Sequence, residues 1–463
     1  MLLERIYDDD LAQAGYLIGC QATGEALVVD ARRDIRAHLA LAASHGMTIT
    51  AVAETHIHAD FLSGTRELAA ATGARMYVSG EGGEDWQYGF DATRLHDGDE
   101  ITLGNITARA VHTPGHTPEH LSFLITDGAF ADEPGYMLTG DFVFAGDVGR
   151  PDLLDEAAGG VDTRFGGAAQ IFDGLRRFVA LPDHVQVFPG HGAGSACGKA
   201  LGALPSTTVG YERRHAWWAG YVADDDEEGF ISELLDGQPD AHAYFGRMKR
   251  QNTQGPALLG QLEDPVLLDP DEVAGAVAAG ELVVVDTRAA DRVHGGTVAG
   301  SLNIPGPDKA ATYGAWAYDP ERESRPLVLL AADADEAAAT RDHLVRVGID
   351  AVTGYLTGLD GLPTVSPEVI TADQLGAPGQ ALLLDVRNAN EHSAGHIPGS
   401  AQLSAGRVLW NLDQLPEDGL IVTYCQSGTR SSVAASALRR AGHRVAELEG
   451  SYAGWLARDT VRA

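Results

Sequence analysis

Cysteine is scarce in this chain: Cys20, Cys197 and Cys425 are the three thiols among 463 residues. An odd, widely scattered set cannot build a disulfide framework and suits a reducing compartment, so a cytoplasmic location is expected. Basic residues are also few, 33 Lys and Arg against 66 Asp and Glu, for a formal charge of -33 at pH 7. A field of that sign repels phosphate backbones and anionic lipid, which argues against nucleic acid or a membrane as partner. Long apolar runs are missing. The opening segment MLLERIYDDDLAQAGYLIG is interrupted by Glu4, Arg5 and three aspartates, so neither a signal peptide nor an anchor is expected there. No later stretch has the apolar length to span a bilayer. What is present, 44% hydrophobic and 21% charged residues, suits roughly two to four domains with their own cores. The composition is compatible with a homo-oligomer and does not specify one.

Near the C-terminus two segments repeat each other. VVVDTRAADRVHGGTVAGSLNIP begins at Val283 and LLLDVRNANEHSAGHIPGSAQLS at Leu382, each a buried strand leading to Asp-x-Arg and a Gly-rich turn. Further on, PLVLLAADADEAAATRDHLVRVG aligns with LIVTYCQSGTRSSVAASALRRAG, each reading as a strand, a loop and an amphipathic helix stopped by Gly348 or Gly442. Strands alternating with helices predict two small α/β domains with mostly parallel sheets, at 266–363 and 366–463. The polar, Gly- and Pro-containing segment 251–265 reads as a linker. Residues 1–250 form a different, mixed α/β unit, with strands such as EALVVD, TITAVAET and VQVFPG. Trp217, Trp218, Tyr221, Phe230 and Tyr244 are spaced as the buried face of flanking helices.

The first unit carries histidines and aspartates just past its apolar strands. His56 and His58 stand two apart in Thr55-His56-Ile57-His58-Ala59-Asp60-Phe61, and on an extended backbone both point to one side. His116 lies in a Pro-Gly-His turn, Asp141 in a Gly-Asp turn and His191 in another Pro-Gly-His turn. Imidazoles and carboxylates gathered on loops at strand ends suit a metal ion held by a rigid sheet.

In order, these residues resemble the HxHxDH, later His, later Asp and last His of the metallo-β-lactamase superfamily. The resemblance implies an αββα sandwich with a metal cleft along the edge of its paired sheets. Phe61 replaces the final His of the first motif, which implies loss of a second-ion ligand and a mononuclear centre. Among mononuclear members the chain is similar to the persulfide dioxygenases, and the resemblance implies Fe(II) held by His56, His116 and Asp141. Two imidazoles and one carboxylate on one face leave cis positions open, as non-haem iron requires to hold substrate and dioxygen together. His58, Asp60 and His191 then either orient the ligands or are ordinary hydrogen-bonded loop residues. Arg150, in a matching Gly-Arg-x-Asp turn, either grips the anionic end of a substrate or pairs with a neighbouring carboxylate. Cys197, in PGHGAGSACGK, is read as a small buried residue or as a sulfur acceptor near the cleft.

Cys425 follows an apolar strand and precedes a helix expected from near Ser431. A loop curling into a helix N-terminus turns several N–H groups inward, which favours a thiolate and an added anionic sulfur. Cys425, Gln426, Ser427, Gly428, Thr429 and Arg430 resemble the active loop of rhodanese-type sulfurtransferases. The resemblance implies that Cys425 carries a persulfide, the loop amides cradle it and Arg430 attracts sulfite or thiosulfate. In the middle repeat Ala331 takes the place of Cys425 before an acidic run, so that copy is expected to be an inactive rhodanese-like domain. Asp286 with Arg288 and Asp385 with Arg387 recur in both copies, which favours structural ion pairs.

The reading is a persulfide dioxygenase fused to an inactive and an active rhodanese domain. Its expected substrates are a thiol persulfide and O2, giving sulfite, with thiosulfate made or used at Cys425. Two rivals remain: a zinc thioester hydrolase of the glyoxalase II type, and a sulfur-carrying scaffold with a structural metal.

Overall fold

The computed structural model describes residues 1–153, 155, 163–375 and 381–462. It divides into two compact units, Met1–Ala241 with Phe245–Gly260, and His242–Tyr244 with Gln261–Ala463.

The first unit is built on two six-stranded sheets. In one, β1 (Leu2–Asp8), β2 (Gln13–Cys20) and β3 (Glu25–Val29) pair antiparallel, and β3, β4 (Thr48–Ala53), β5 (Arg75–Ser79) and β6 (Thr93–Leu95) run parallel. The other holds β7 (Glu100–Leu103), β8 (Ile106–His112), β9 (Leu121–Asp127), β10 (Tyr136–Gly140), β11 (Gln186–Pro189) and β12 (Thr207–Thr208) in sequence order. Side chains alternate along a strand, and here both faces are covered. Tyr16, Ile18, Leu27 and Val29 meet Phe123, Ile125 and Leu138 between the sheets, while Leu17, Val28 and Val52 turn outward against Ala42 and Leu68. Those last two belong to the helices Arg36–Ser44 and Thr65–Thr72. On the far side, Ala168, Ile171, Phe172, Leu175 and Phe178 form the apolar stripe of helix Arg164–Phe178 against Leu124, Met137 and Val187. The layers are therefore α, β, β, α, as expected, and Trp218, which caps helix Ala219–Asp224, and Phe230 of helix Glu227–Leu235 join the outer core.

The expected linker begins too early. Gln251 to Gln254 complete the helix Phe245–Gln254, in which buried Asn252 donates to the carbonyls of His58 and Phe61. Glu67 then accepts from the amides of Leu259 and Gly260, so the polar stretch is held by buried side chains until the first unit ends at Gly260.

The second unit contains two all-parallel five-stranded sheets of identical topology. Strands Val266–Leu267, Val283–Asp286, Leu302–Asn303, Leu327–Leu330 and Val352–Leu356 lie in the order first, fifth, fourth, second, third. Glu368–Ile370, Ala381–Asp385, Ala401–Gln402, Leu420–Tyr424 and Arg444–Leu448 repeat that order. Thr364–Val365 pairs back onto Thr297–Val298, so the chain belongs to the middle copy two residues beyond the expected end at 363. The copies pack together: Ser432 Oγ donates to Asn303 Oδ1 at 2.7 Å, and Arg440 forms an ion pair with Glu323.

Candidate functional site

The loops leaving β4, β8, β10 and β11 bring the predicted histidines and aspartates together. His56, His116 and Asp141 are buried, and one donor atom from each lies within 4.8 Å of the others. The tautomers follow from the outer contacts. Thr55 Oγ1 gives its proton to Asp30 Oδ2 at 2.9 Å and so accepts from His56 Nδ1, also at 2.9 Å. His116 Nδ1 meets the carbonyl of Arg150 at 2.9 Å, and His191 Nδ1 that of Ala12 at 3.0 Å. Because these oxygens can only accept, the Nε2 lone pairs point inward. His116 Nε2 and His191 Nε2 each stand 3.5 Å from Asp141 Oδ2, lone pairs facing a carboxylate. Neither Asp141 oxygen has a hydrogen-bond partner although both are buried. Inward lone pairs around an unpartnered carboxylate are the environment a cation completes, so the residues fit a metal ion.

Tight backbone packing fixes this geometry. A Cβ at Gly140, whose φ is +50°, would sit 2.7 Å from His120 Nε2 and 2.8 Å from Thr55 Cβ. At Gly190 it would sit 2.7 Å from Asp141 Oδ1. The two glycines therefore let the Asp141 and His191 loops close on the site.

His56 and His58 do not act as a pair. The chain bends after Thr55 rather than staying extended, and His58 Nε2 bonds Asp30 Oδ1 at 3.1 Å. Burial opposes charge on His58, but the Asp30, Asp60 and Glu54 carboxylates outweigh it and raise its pKa to about 9. His56 goes the other way, lowered by burial and by the surrounding imidazoles. Asp30, absent from the sequence reading, binds the Thr55 amide, the Thr55 hydroxyl and His58. Its one signal is position, an aspartate ending the apolar strand EALVV, here at φ +54°. His120 was also missed. It accepts from the Asp141 amide at 3.0 Å, and burial with the nearby His116 lowers its pKa to about 3. Asp30→Asn removes the carboxylate that orients Thr55 and, through it, His56, and is expected to weaken metal binding about 10–100-fold by competition with a chelator.

A second group forms beside the first. Asp60, His191 and Cys197 are buried, with donor atoms within 4.8 Å of one another, and His191 Nε2 is 3.5 Å from Asp60 Oδ2. Burial, then the Asp141 and Asp60 carboxylates, push the Cys197 thiol well above its ordinary range. Phe61, fully buried, packs on the His58 ring at 4.4 Å between centroids.

Arg150 does not reach for substrate. It is 0% exposed and grips Asp152 in bidentate fashion at 2.9 and 2.5 Å, with Nη1 on the carbonyls of Ala196 and Pro239. Its backbone amide also donates to the Cys197 carbonyl. The arginine thus clamps the loop that carries Cys197, the structural member of the two roles its turn allowed. Arg150→Ala leaves Asp152 without its buried partner and should cost about 3–5 kcal/mol in urea unfolding.

In the C-terminal copy, the helix after Cys425 starts at Thr429, with Gly428 at φ +117° as its cap. Cys425 is 1% exposed, and the Gly428 amide donates to its Sγ at 3.1 Å. Amides of Tyr452 and Ala453 hold the carbonyls of Cys425 and Gln426, fixing the loop from outside. Gln426, Ser427 and Thr429 are exposed. Arg430 is paired with Glu391 at 2.6 and 2.8 Å, a contact the sequence did not disclose. In the middle copy Ala331 occupies the cysteine position, and the Glu336 carboxylate takes the Ala332 amide at 3.1 Å. Asp286 with Arg288 and Asp385 with Arg387 make the same fork, 2.9 and 2.6 Å in each copy, so the duplicated pair is structural. Among the described residues, no helix is long and apolar enough to cross a membrane.

Comparison with known proteins agrees with this architecture. Residues 9–191 match the model of the metallo-beta-lactamase superfamily and residues 371–458 that of the rhodanese-like domain. A crystal structure of a metallo-beta-lactamase from Staphylococcus aureus is 36% identical, covering 77% of this chain and 98% of that one, with a TM-score of 0.66. The hydroxyacylglutathione hydrolase of Rhodospirillum rubrum is 36% identical over 176 residues, 38% of this chain, which spans 60% of that relative's length. ETHE1 from Myxococcus xanthus is 26% identical over 51% of this chain and 96% of its own, at a TM-score of 0.40. On the likeness to the staphylococcal protein and the matched residues, the chain belongs to the metallo-beta-lactamase superfamily and carries a rhodanese-like domain at its C-terminal end.

Proposed function

We propose that this protein oxidises a low-molecular-weight thiol persulfide to sulfite and that Cys425 transfers sulfane sulfur to or from thiosulfate. The observation that carries the reading is one chain holding both a buried His56, His116 and Asp141 cluster and a cysteine loop shaped for sulfur. A ferrous ion bound by those three side chains would supply adjacent positions for the anionic persulfide sulfur and for dioxygen. Thr55 and the Arg150 carbonyl hold His56 and His116 in the tautomers that present Nε2. Asp141 brings the negative charge, and the glycine-lined loops keep the donors in register. At the second site the loop amide on Cys425 Sγ and the neighbouring helix N-terminus stabilise the thiolate and its persulfide. Water, O2 and the persulfide RSSH balance as RSH plus sulfurous acid. The Cys425 thiolate would take the sulfane sulfur of a second RSSH, releasing RSH, and pass it to sulfite, giving thiosulfate and regenerating the thiolate.

The curated relatives favour a second reading, thioester hydrolysis by zinc at the same cluster, since they are named hydroxyacylglutathione hydrolases. Phe61 argues against a hydrolytic pair of ions built from imidazoles. Anaerobic purification, metal counting and product analysis separate the two. Iron with oxygen uptake on addition of glutathione persulfide supports oxidation; zinc with cleavage of S-lactoylglutathione and no oxygen uptake overturns it. A reducing cytoplasm suits the three free thiols.

A further inference from the structure

We propose that Glu391 sets the charge of the sulfur donor accepted at Cys425: by holding Arg430 it leaves the loop without a free cation, so a donor with one negative charge at its reacting end is taken in preference to dianionic thiosulfate. The inference rests on the reading of Cys425 as a sulfur carrier and adds which class of donor loads it.

Arg430 gives Nη1 to Glu391 Oε2 at 2.6 Å and Nη2 to Oε1 at 2.8 Å. Glu391 is itself anchored, since the Asn388 amide donates to its Oε2 at 3.2 Å in the capping box of helix Ala389–Ala394. The guanidinium is thus tied to a fixed carboxylate. Hydrogen bonding from Arg430 holds the Glu391 carboxyl below its ordinary range, and the bond to Glu391, with a smaller contribution from the Cys425 thiolate, raises the arginine. The neighbouring cation is answered too, because Arg387 is forked on Asp385 at 2.9 and 2.6 Å. What stays beside Cys425 Sγ is the Gly428 amide and the N-terminus of the 12-residue helix Thr429–Arg440. A helix end supplies roughly half a unit of positive charge, less than the thiolate already carries. Each further negative charge on a donor is therefore repelled.

The middle copy shows that the fold does not require this pair. Its residues at the two places are Arg292 and Glu336, reversed in sign. Glu336 turns to the Thr287 hydroxyl at 2.6 Å and the Ala332 amide at 3.1 Å, while Arg292 lies exposed. The strand order is nonetheless the same. The Glu391–Arg430 pair accordingly belongs to the loop that carries the cysteine.

Turnover of two donors by the full-length protein, read as kcat/KM with cyanide as common acceptor, tests this. The donors are thiosulfate and the methanethiosulfonate ion, which offers the same terminal sulfur with one negative charge fewer. In either case the Cys425 thiolate attacks that sulfur, the S–S bond breaks, and sulfite or methanesulfinate leaves with the electron pair. Glu391→Gln keeps an acceptor for the Asn388 amide and should raise the thiosulfate-to-methanethiosulfonate ratio about tenfold over wild type, a gain that shrinks in high salt. Arg430→Gln should lower the ratio by a similar factor, and the double variant Glu391→Gln/Arg430→Gln should return it near the wild-type value. Because ratios are compared between proteins, differences between the leaving groups cancel. A ratio unchanged or lowered in Glu391→Gln overturns the proposal. Should that variant turn over neither donor, the double variant is set against Arg430→Gln, and a ratio no higher in the double overturns it. Wild type that uses neither donor removes the sulfur-transfer reading and the proposal with it, whereas turnover with a ratio indifferent to Glu391 removes the proposal alone.

Discussion

Cys425→Ser is expected to reduce sulfur transfer between thiosulfate and an acceptor thiol to background while oxygen-dependent sulfite formation from glutathione persulfide continues. The hydroxyl fits the loop but is neither a thiolate nor able to hold sulfane sulfur. The fall should reach at least about a thousand-fold, equivalent to roughly 4 kcal/mol of transition-state stabilisation. Parallel oxygen-electrode and thiosulfate assays on one preparation check it. The split outcome follows from the separation of donors, because the His56, His116 and Asp141 cluster draws no side chain from the loop around Cys425. If sulfite formation stops together with transfer, a scaffold in which Cys425 relays all sulfur would replace the two-reaction reading.

The middle copy supplies a natural control for the same argument. It keeps the strand order and the Asp286–Arg288 fork, so the duplicated fold survives without the nucleophile. At the place of Arg430 it has Glu336, whose carboxylate already occupies a loop amide and would repel an incoming anion. Restoring the cysteine alone at Ala331 therefore would not restore transfer.

The sandwich is legible because its central strands are apolar on both faces, so EALVV and GYLIGC read as buried strands from the sequence alone. The ligand candidates were legible because each follows such a strand within a Gly-containing turn. What escaped was whatever depends on long-range pairing. Arg150 lies two residues from Asp152, but only the fold brings it beneath the carbonyls of Ala196 and Pro239 and removes it from solvent. His58 stands beside His56 in sequence and turns to Asp30, twenty-eight residues away. The sequence leaves Cys197 with two readings, because the convergence of its loop with Asp60 leaves no periodic trace. The helical start of the 251–265 segment escaped for a related reason: polar residues such as Asn252 mark a loop unless buried backbone groups wait to receive them.

Asp141→Asn should remove most of the metal-dependent stabilisation. Asp141 lies in the first donor cluster, and its Oδ2 faces both His116 Nε2 and His191 Nε2. The amide keeps the shape but removes the charge and one acceptor oxygen, so the loss of affinity should be at least the roughly 100-fold seen when an orienting partner is removed. Linkage turns this into a measurable shift. With iron held anaerobically at about 100 times the wild-type dissociation constant, wild type gains about 2.7 kcal/mol over its metal-free form. A hundredfold weaker variant at that same concentration gains only about 0.4 kcal/mol. Paired urea titrations with and without metal read the difference directly, and because each protein is compared with its own metal-free form, any intrinsic effect of the substitution cancels. Oxygen uptake should fall with the bound iron. A variant that keeps the full metal-induced shift would remove Asp141 from the ligand set and, with it, the facial arrangement on which the oxidation reading depends.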